Sequence, residues 1–224
     1  MSIATNLEAV ESTLCQAIDK VGRKRSNVTL IAVTKAVSNE ATKEIYDLGI
    51  RHLAENRPEG LQAKKTYLPD TDIKWHYIGN LQTRKVKQVI NEIDYFHALD
   101  RISLAKEIEK RAEHTINCFL EVNVTGEESK HGINPSEIKA FIDSLQDYSK
   151  IKIIGLMTMA PIDADEATIH KAFSTLYQLK EKIQAKGISY APCTELSMGM
   201  SNDYQIAAEE GATFVRVGTA LFKD

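Results

Sequence analysis

Lys35 ends the stretch "LIAVTK" (30–35), in which an apolar run and a threonine deliver a primary amine to what reads as the end of a buried strand. An amine held in that position can condense with a carbonyl compound, forming a C=N bond and releasing water. Two segments near the C-terminus carry complementary chemistry: "SMGMSND" (197–203) and "VGTA" (217–220). They supply small residues, hydroxyls and backbone N–H groups where helices would begin. Gly199 and Gly218 let backbone approach a ligand, Ser201 and Thr219 can donate hydrogen bonds, and a helix N-terminus favours an anion. A lysine facing such a phosphate site suits a Schiff base with a phosphorylated aldehyde or a sugar phosphate. Each part taken singly has an ordinary alternative: a solvated strand-end lysine, a helix cap at Ser201-Asn202-Asp203, a turn at Gly218. Their conjunction favours the phosphate reading.

The elements that must position these residues alternate along the chain. Strands are expected at Thr29–Val33, His52–Ala54, Lys74–Tyr77, Tyr95–Ala98, Cys118–Val124, Lys152–Leu156, Thr194–Leu196 and Thr213–Val217. Several are almost continuously apolar, as parallel strands covered on both faces must be. Helical periodicity fills the intervals. "NPSEIKAFIDSL" (134–145) offers Asn134 as N-cap and Pro135 at the first helical position, and the helix over 167–187 ends at Gly187. Asp100 is a reasonable N-cap for "RISLAKEIEKRAEH", and the basic run "TRKVKQ" (83–88) reads as a solvated helix face. This alternation predicts a single α/β domain over 1–224, a (β/α)8 TIM barrel with an additional N-terminal helix over about 3–24. That helix would cover the gap left by the short tail "GTALFKD". A doubly wound open sheet is the runner-up, but no G-x-G-x-x-G follows an early strand. In a barrel, chemistry collects at the C-terminal strand ends, where Lys35, Glu55-Asn56-Arg57, "WHYIGNLQ", "GLMTMAP", "LSMGMSND" and "RVGTALF" all fall.

Composition excludes several classes. The 224 residues carry a net charge of −3, so no global basic field recruits nucleic acid or anionic lipid. Cys15, Cys118 and Cys193 are odd in number and form no C-x-x-C pair, which argues for a reducing compartment. The six histidines show no metal-ligand spacing, and no metal is expected. The N-terminus lacks the architecture of a signal peptide, and no apolar run approaches the roughly 20 residues of a membrane span. A cytoplasmic monomer is the expectation.

The segments "IAVTK", "ENR", "WHYIGNLQTRK", "VNVTGEESKHG", "GLMTM" and "LSMGMSNDYQIAAEEGATFVRVGTALF" resemble, in order and over nearly the whole chain, the pyridoxal phosphate homeostasis proteins. These are single-domain relatives of the alanine racemase N-terminal barrel. The resemblance implies pyridoxal 5′-phosphate (PLP) as cofactor, with Lys35 forming the internal aldimine. It implies that Ser201, Gly218 and Thr219 hold the phosphate, that Arg216 faces the pyridine nitrogen and that Asn56 lies beside the ring. Ser197 and Met200 belong to the same loop, and His76 and Gly79 line the mouth. Three departures stand out: Pro58-Glu59-Gly60 where the family usually continues differently, Arg84 where asparagine is common, and Lys223 where glycine is frequent.

The implied function is a PLP-binding regulatory or carrier protein in vitamin B6 and amino-acid homeostasis, with apo PLP-dependent enzymes as candidate recipients. Strong catalysis is not expected. An arginine against the pyridine nitrogen keeps its proton, so the ring is a weaker electron sink. Alanine racemases add a tyrosine base from a separate domain, for which the sequence ending at Asp224 is expected to have no counterpart. Among the tyrosines, Tyr77 is nearest the mouth in motif terms, though packing suits it better. The alternatives are a PLP-dependent racemase of low activity and a cofactor-free Schiff-base aldolase, for which Glu121 or Glu195 would relay protons.

Overall fold

The computed structural model describes residues 2–127 and 131–223. The apolar runs form parallel strands β1 (Thr29–Val33), β2 (His52–Glu55), β3 (Lys74–Tyr77), β4 (Tyr95–Leu99), β5 (Ile116–Glu121), β6 (Ile151–Met157), β7 (Glu195–Ser197) and β8 (Phe214–Val217). They close in sequence order, β1 pairing with both β2 and β8, into a barrel. The fifth strand stops short of the expected Val124: after Glu121 the chain makes a single bridge between Val122 and Ile133. Within "VNVTGEESKHG", positions 128–130 lie outside the described residues.

Helices α1 (Ile3–Lys20), α2 (Asn39–Asp47), α3 (Pro58–Tyr67), α4 (Ile102–Arg111), α5 (Ile138–Asp143), α6 (Glu166–Gln184), α7 (Tyr204–Glu209) and α8 (Thr219–Phe222) surround it. Two starts differ from expectation. Asn134 caps a short 3-10 turn, Pro135–Glu137, which leads into α5, and α4 begins after Arg101 rather than Asp100. The basic run Thr83–Gln88 is a 3-10 helix with Val86 buried beneath it. None of the described helices is long and apolar enough to cross a membrane.

The period of two along each strand splits the core into layers. Side chains such as Trp75, Tyr77, Phe96 and Leu120 face the helices, while Ile31, Val33, Ala54, Phe119, Met157 and Phe214 pack inside the barrel. Backbones come unusually close at Gly155 on β6: a Cβ there would lie 2.1 Å from the Glu195 carbonyl oxygen on β7. Only glycine permits that approach.

The last outer helix is one turn, and α1 completes the wall. Asn6, 2% exposed, donates from Nδ2 to the carbonyls of Leu221 (3.0 Å) and Lys223 (2.8 Å), clamping the end of α8 under α1. Asn6→Ala removes both bonds and leaves a buried carbonyl without its donor. A loss of about 1–3 kcal/mol in urea unfolding is expected, and an unchanged midpoint would show that α1 is held by apolar packing alone.

Candidate functional site

Lys35 lies in the turn just past β1 and is exposed. Its position is fixed from behind rather than by contacts of its own. Lys64 of α3 donates to the carbonyl oxygen of Thr34 and, at 2.5 Å, to Glu55 Oε1; Thr34 Oγ1 donates to the same carboxylate oxygen at 2.7 Å. Glu55, Lys64 and Thr34 are 1%, 4% and 0% exposed. A buried cation, anion and hydroxyl thus lock the end of β1 to the end of β2, immediately before Lys35 and Asn56. The unusual Gly60 fits this arrangement, since a Cβ at that position would sit 2.7 Å from Glu55 Oε2.

Asn56 is half-buried, and Gly79 packs on it so tightly that a Cβ would lie 2.7 Å from the Asn56 carbonyl oxygen. On the other side of Lys35, a Cβ at Gly218 would approach Val33 Cβ and O at 3.3 Å. The loops after β8, β1, β2 and β3 therefore form one contiguous arc.

The loop after β7 joins it. Gly199 has φ +93° and no room for a Cβ, which would meet Ala207 Cβ at 2.5 Å; its carbonyl accepts the N–H of Arg216. Ser201 does not cap α7. Its Oγ crosses to the next loop and accepts the N–H groups of Gly218 and Ala220, each at 3.2 Å. Asp203 likewise turns back, accepting the Met200 N–H at 2.6 Å. The ordinary reading of Ser201-Asn202-Asp203 as the cap of α7 is thus replaced by a cradle of two amides around one oxygen. Met200 and Thr219 are exposed at its rim.

Arg216 is 4% exposed on β8. It donates from Nη1 to Ser197 Oγ at 2.5 Å and from Nη2 to the Thr158 carbonyl at 3.2 Å. Burial pulls its pKa down to about 10, which leaves it charged at neutral pH. Two carboxyls lie in its field: Glu121 at the end of β5 and Asp203, both raised from the ordinary carboxylate value chiefly by burial.

His76 departs from its expected place at the mouth. Its neighbours Trp75 and Tyr77 face the helices, so the alternation of the strand turns His76 inward, where it is fully buried. It joins two histidines that sequence reasoning did not single out. His52 Nδ1 and His76 Nε2 are 2.9 Å apart, His76 Nδ1 and His97 Nε2 2.8 Å, and His97 Nδ1 and Ser197 Oγ 2.8 Å. Tyr95 stacks on His76 at 4.3 Å, and Phe119 on His97 at 4.4 Å. Burial pushes His76 and His97 well below the ordinary histidine value. A signal for His97 was present in the sequence: "KWHY" and "YFHA" both place histidine third in a strand. Among the described residues no cluster of His, Cys, Asp or Glu side chains could hold a metal ion.

The closed parallel barrel, whose loops gather this amine and amide cradle, matches the family model of the alanine racemase N-terminal domain over residues 6–224. The fold is shared with alanine racemase from Corynebacterium glutamicum (TM-score 0.72, 15% identity), covering 98% of this chain and 60% of that one. The chain belongs, more narrowly, to the pyridoxal phosphate homeostasis protein family. It is 37% identical to the Aquifex aeolicus member over 225 residues, covering 99% of this chain and 98% of the relative. PipY of Synechococcus elongatus, solved with PLP bound, is 31% identical (TM-score 0.86), with 99% of this chain and 100% of that chain covered.

Two outcomes follow from this geometry. Lys64→Met strands Glu55 without its buried partner and costs about 3–5 kcal/mol in chemical unfolding, whereas Glu55→Gln combined with Lys64→Met recovers part of it; equal losses in single and double variants would refute the pairing. For His76 and His97 the folded state resists a proton that the unfolded state accepts, so their contribution to stability is complete above 6.5 and is lost as pH falls below it. The slope approaches about 1.4 kcal/mol per pH unit for each histidine. Unfolding midpoints should therefore fall between about pH 7.5 and 5.5, and fall less steeply in His76→Asn; the same slope in both would remove the histidines from the account.

Proposed function

We infer that this chain holds PLP at the barrel mouth, with Lys35 as the covalent handle, and serves PLP (vitamin B6) and amino-acid homeostasis rather than rapid turnover. The observation that carries the reading is the cradle in which the Gly218 and Ala220 amides converge on one acceptor oxygen. Donors already aimed at an oxygen suit a phosphate. Two further features fit the group. Lys35 has no hydrogen-bond or ion-pair partner among the described residues, so its amine is available. Arg216 presents further N–H groups beyond the two that Ser197 and Thr158 engage.

When bound, PLP supplies an aldehyde and an electron-withdrawing ring. Lys35 would supply the amine that condenses with that aldehyde, one water leaving. Ser201, Gly218 and Thr219 would hold the phosphate, Asn56 and Gly79 would bound the ring on the β2–β3 side, and Met200 would cover the rim. Arg216 would lie beside the ring nitrogen and would not surrender its proton to it, which would limit how far the ring withdraws electrons and argues for a carrier. Proton chemistry from Tyr77 finds no support. The residue is 1% exposed in the outer layer, and burial pushes its pKa up to about 12.

A second reading, a slow PLP-dependent amino-acid racemase, is favoured by Glu121. This carboxyl is buried at a strand end, its protonated form is favoured by burial, and it lies within the field of Arg216.

Titrating PLP into wild type should generate a visible imine absorption that Lys35→Ala abolishes, while the variant retains weaker, non-covalent binding. No band in wild type, or the same band in Lys35→Ala, would refute the covalent handle. Proton exchange at the α-carbon of L-amino acids in deuterated solvent, followed by NMR on the loaded protein, separates the two readings. The carrier reading requires little exchange, whereas rapid exchange accompanied by formation of the D-enantiomer, both abolished by Glu121→Gln, would establish the racemase.

A further inference from the structure

The barrel interior holds an unbroken hydrogen-bonded chain, His52–His76–His97–Ser197–Arg216, drawn from β2, β3, β4, β7 and β8. One end, His52, opens β2 at the floor of the barrel and is half-buried. His76, His97 and Ser197 are each 0% exposed, and Arg216 ends the chain beside the proposed ligand site. The chain leads away from the phosphate cradle and from Lys35, so neither holding nor attaching the ligand accounts for it.

The donors can be assigned. A guanidinium only donates hydrogen bonds, so Ser197 Oγ accepts one from Arg216 Nη1. Two arrangements of the remaining protons then satisfy every link with neutral imidazoles. In the first, the Ser197 hydroxyl donates to His97 Nδ1, His97 Nε2–H to His76 Nδ1, and His76 Nε2–H to His52 Nδ1. In the second, every donor reverses: His52 Nδ1–H to His76, His76 Nδ1–H to His97, and His97 Nδ1–H to Ser197. The Ser197 oxygen then accepts twice, and its hydroxyl proton must find another acceptor. Among the described residues Ser197 Oγ hydrogen-bonds only to His97 and Arg216, so the first arrangement is the one in which every proton is satisfied.

Two events select the second arrangement. A proton added to His52 puts N–H on both ring nitrogens, and Nδ1–H forces His76 to accept. A ligand that presents an acceptor beside Ser197 and Arg216 gives the released hydroxyl a partner. We propose that this chain is a two-state relay in which a proton on His52 at the barrel floor and an acceptor-bearing ligand at Ser197–Arg216 favour one another. The ligand class is a ring nitrogen or oxyanion that accepts hydrogen bonds. For PLP the proposal rests on the functional reading above, which puts the unprotonated pyridine nitrogen beside Ser197 and Arg216, where its single lone pair would accept the released Ser197 hydroxyl in place of an Arg216 N–H. Because the two events share one equilibrium, the coupling is reciprocal: acid strengthens binding, and binding makes His52 easier to protonate.

The surroundings of His52 make it the entry point. Lys74 of β3 opposes a proton there, and Asp94, next to β4, favours one. Tyr95 of β4 and Phe214 of β8 flank the ring at 6.1 Å, and β1 carries no titratable side chain. Glu195 of β7 acts on Tyr95. His52 is only moderately depressed by its partial burial, whereas His76 and His97 are held far lower, so acid reaches His52 first.

The test begins without PLP. Side-chain nitrogen-15 NMR should show His76 and His97 as Nε2–H tautomers at alkaline pH and as Nδ1–H tautomers at the acid pH at which the His52 resonances themselves report a charged ring. His52→Asn offers His76 an acceptor that cannot take a proton, and should keep both in the Nε2–H form. Tautomers in wild type that stay fixed while His52 titrates would overturn the relay. PLP affinity is then measured at both pH values. The ratio of wild-type to His52→Asn affinity should rise on the order of fivefold toward acid, and the ratio of wild type to Ser197→Ala should rise with it. Either ratio staying constant overturns the coupling. Failure of wild type to bind PLP at any pH overturns the functional reading and the ligand half of the proposal, while the NMR result judges the tautomer switch independently.

Discussion

A lysine ammonium and a glutamate carboxylate, both almost wholly removed from water, meet where the first two strands leave the barrel. Lys64 and Glu55 stabilise one another only because each has a further partner, the Thr34 carbonyl for the cation and the Thr34 hydroxyl for the anion. Desolvating two charges costs several kcal/mol per ion, so the arrangement tolerates no loose member. Everything the site needs is hung from it. Thr34 precedes the amine, Glu55 precedes Asn56, and α3 is anchored by the lysine it contributes. The departure at Gly60 sits where a side chain would collide with Glu55. The glycine therefore belongs to the support of the site and not to its contacts.

From this anchor the site is an arc of neighbouring strand ends. Gly218 rests on Val33, Gly79 on Asn56, and Gly199 on α7, each at distances a β-carbon would violate or crowd. These close approaches pull backbone amides to where side chains would otherwise stand, and Ser201 reports the result by placing its oxygen between two of them. The wall behind the arc is completed by α1, whose Asn6 ties down the end of the chain that carries the cradle.

The inner layer is less conventional than the outer. Barrel interiors are filled mainly by branched apolar residues, yet here three imidazoles and a hydroxyl lead to a buried guanidinium. Stacking on Tyr95 and Phe119 fills volume as an apolar layer would. Hydrogen bonding satisfies the polar atoms that burial would otherwise penalise, fully in one proton arrangement and, in the reversed one, for all but the Ser197 hydroxyl. An interior whose hydrogen bonds can reverse direction, at the cost of one unpaired hydroxyl, differs from an apolar one in being able to respond to a charge at its floor.

The sequence by itself determined the strands, the barrel, the amine at the end of β1 and the glycine-rich loops after β7 and β8. Those features are written in local periodicity and in punctuation a few residues long. It also carried the family, through segments that lie in order along nearly the whole chain. Tertiary structure alone decided how Ser201 is used, because a serine before a short helix looks the same whether it caps that helix or crosses to the next loop. It decided that Lys64, which falls in the stripe of Leu61 and Leu68 and could pass for a solvated edge, is a buried partner of Glu55. It also moved His76 from the mouth to the interior and linked it to histidines 24 and 21 residues away, and through His97 to a serine 100 residues further on. Periods of two and 3.6 are properties of neighbouring residues, but which inward side chains meet is settled only when the eighth strand closes on the first.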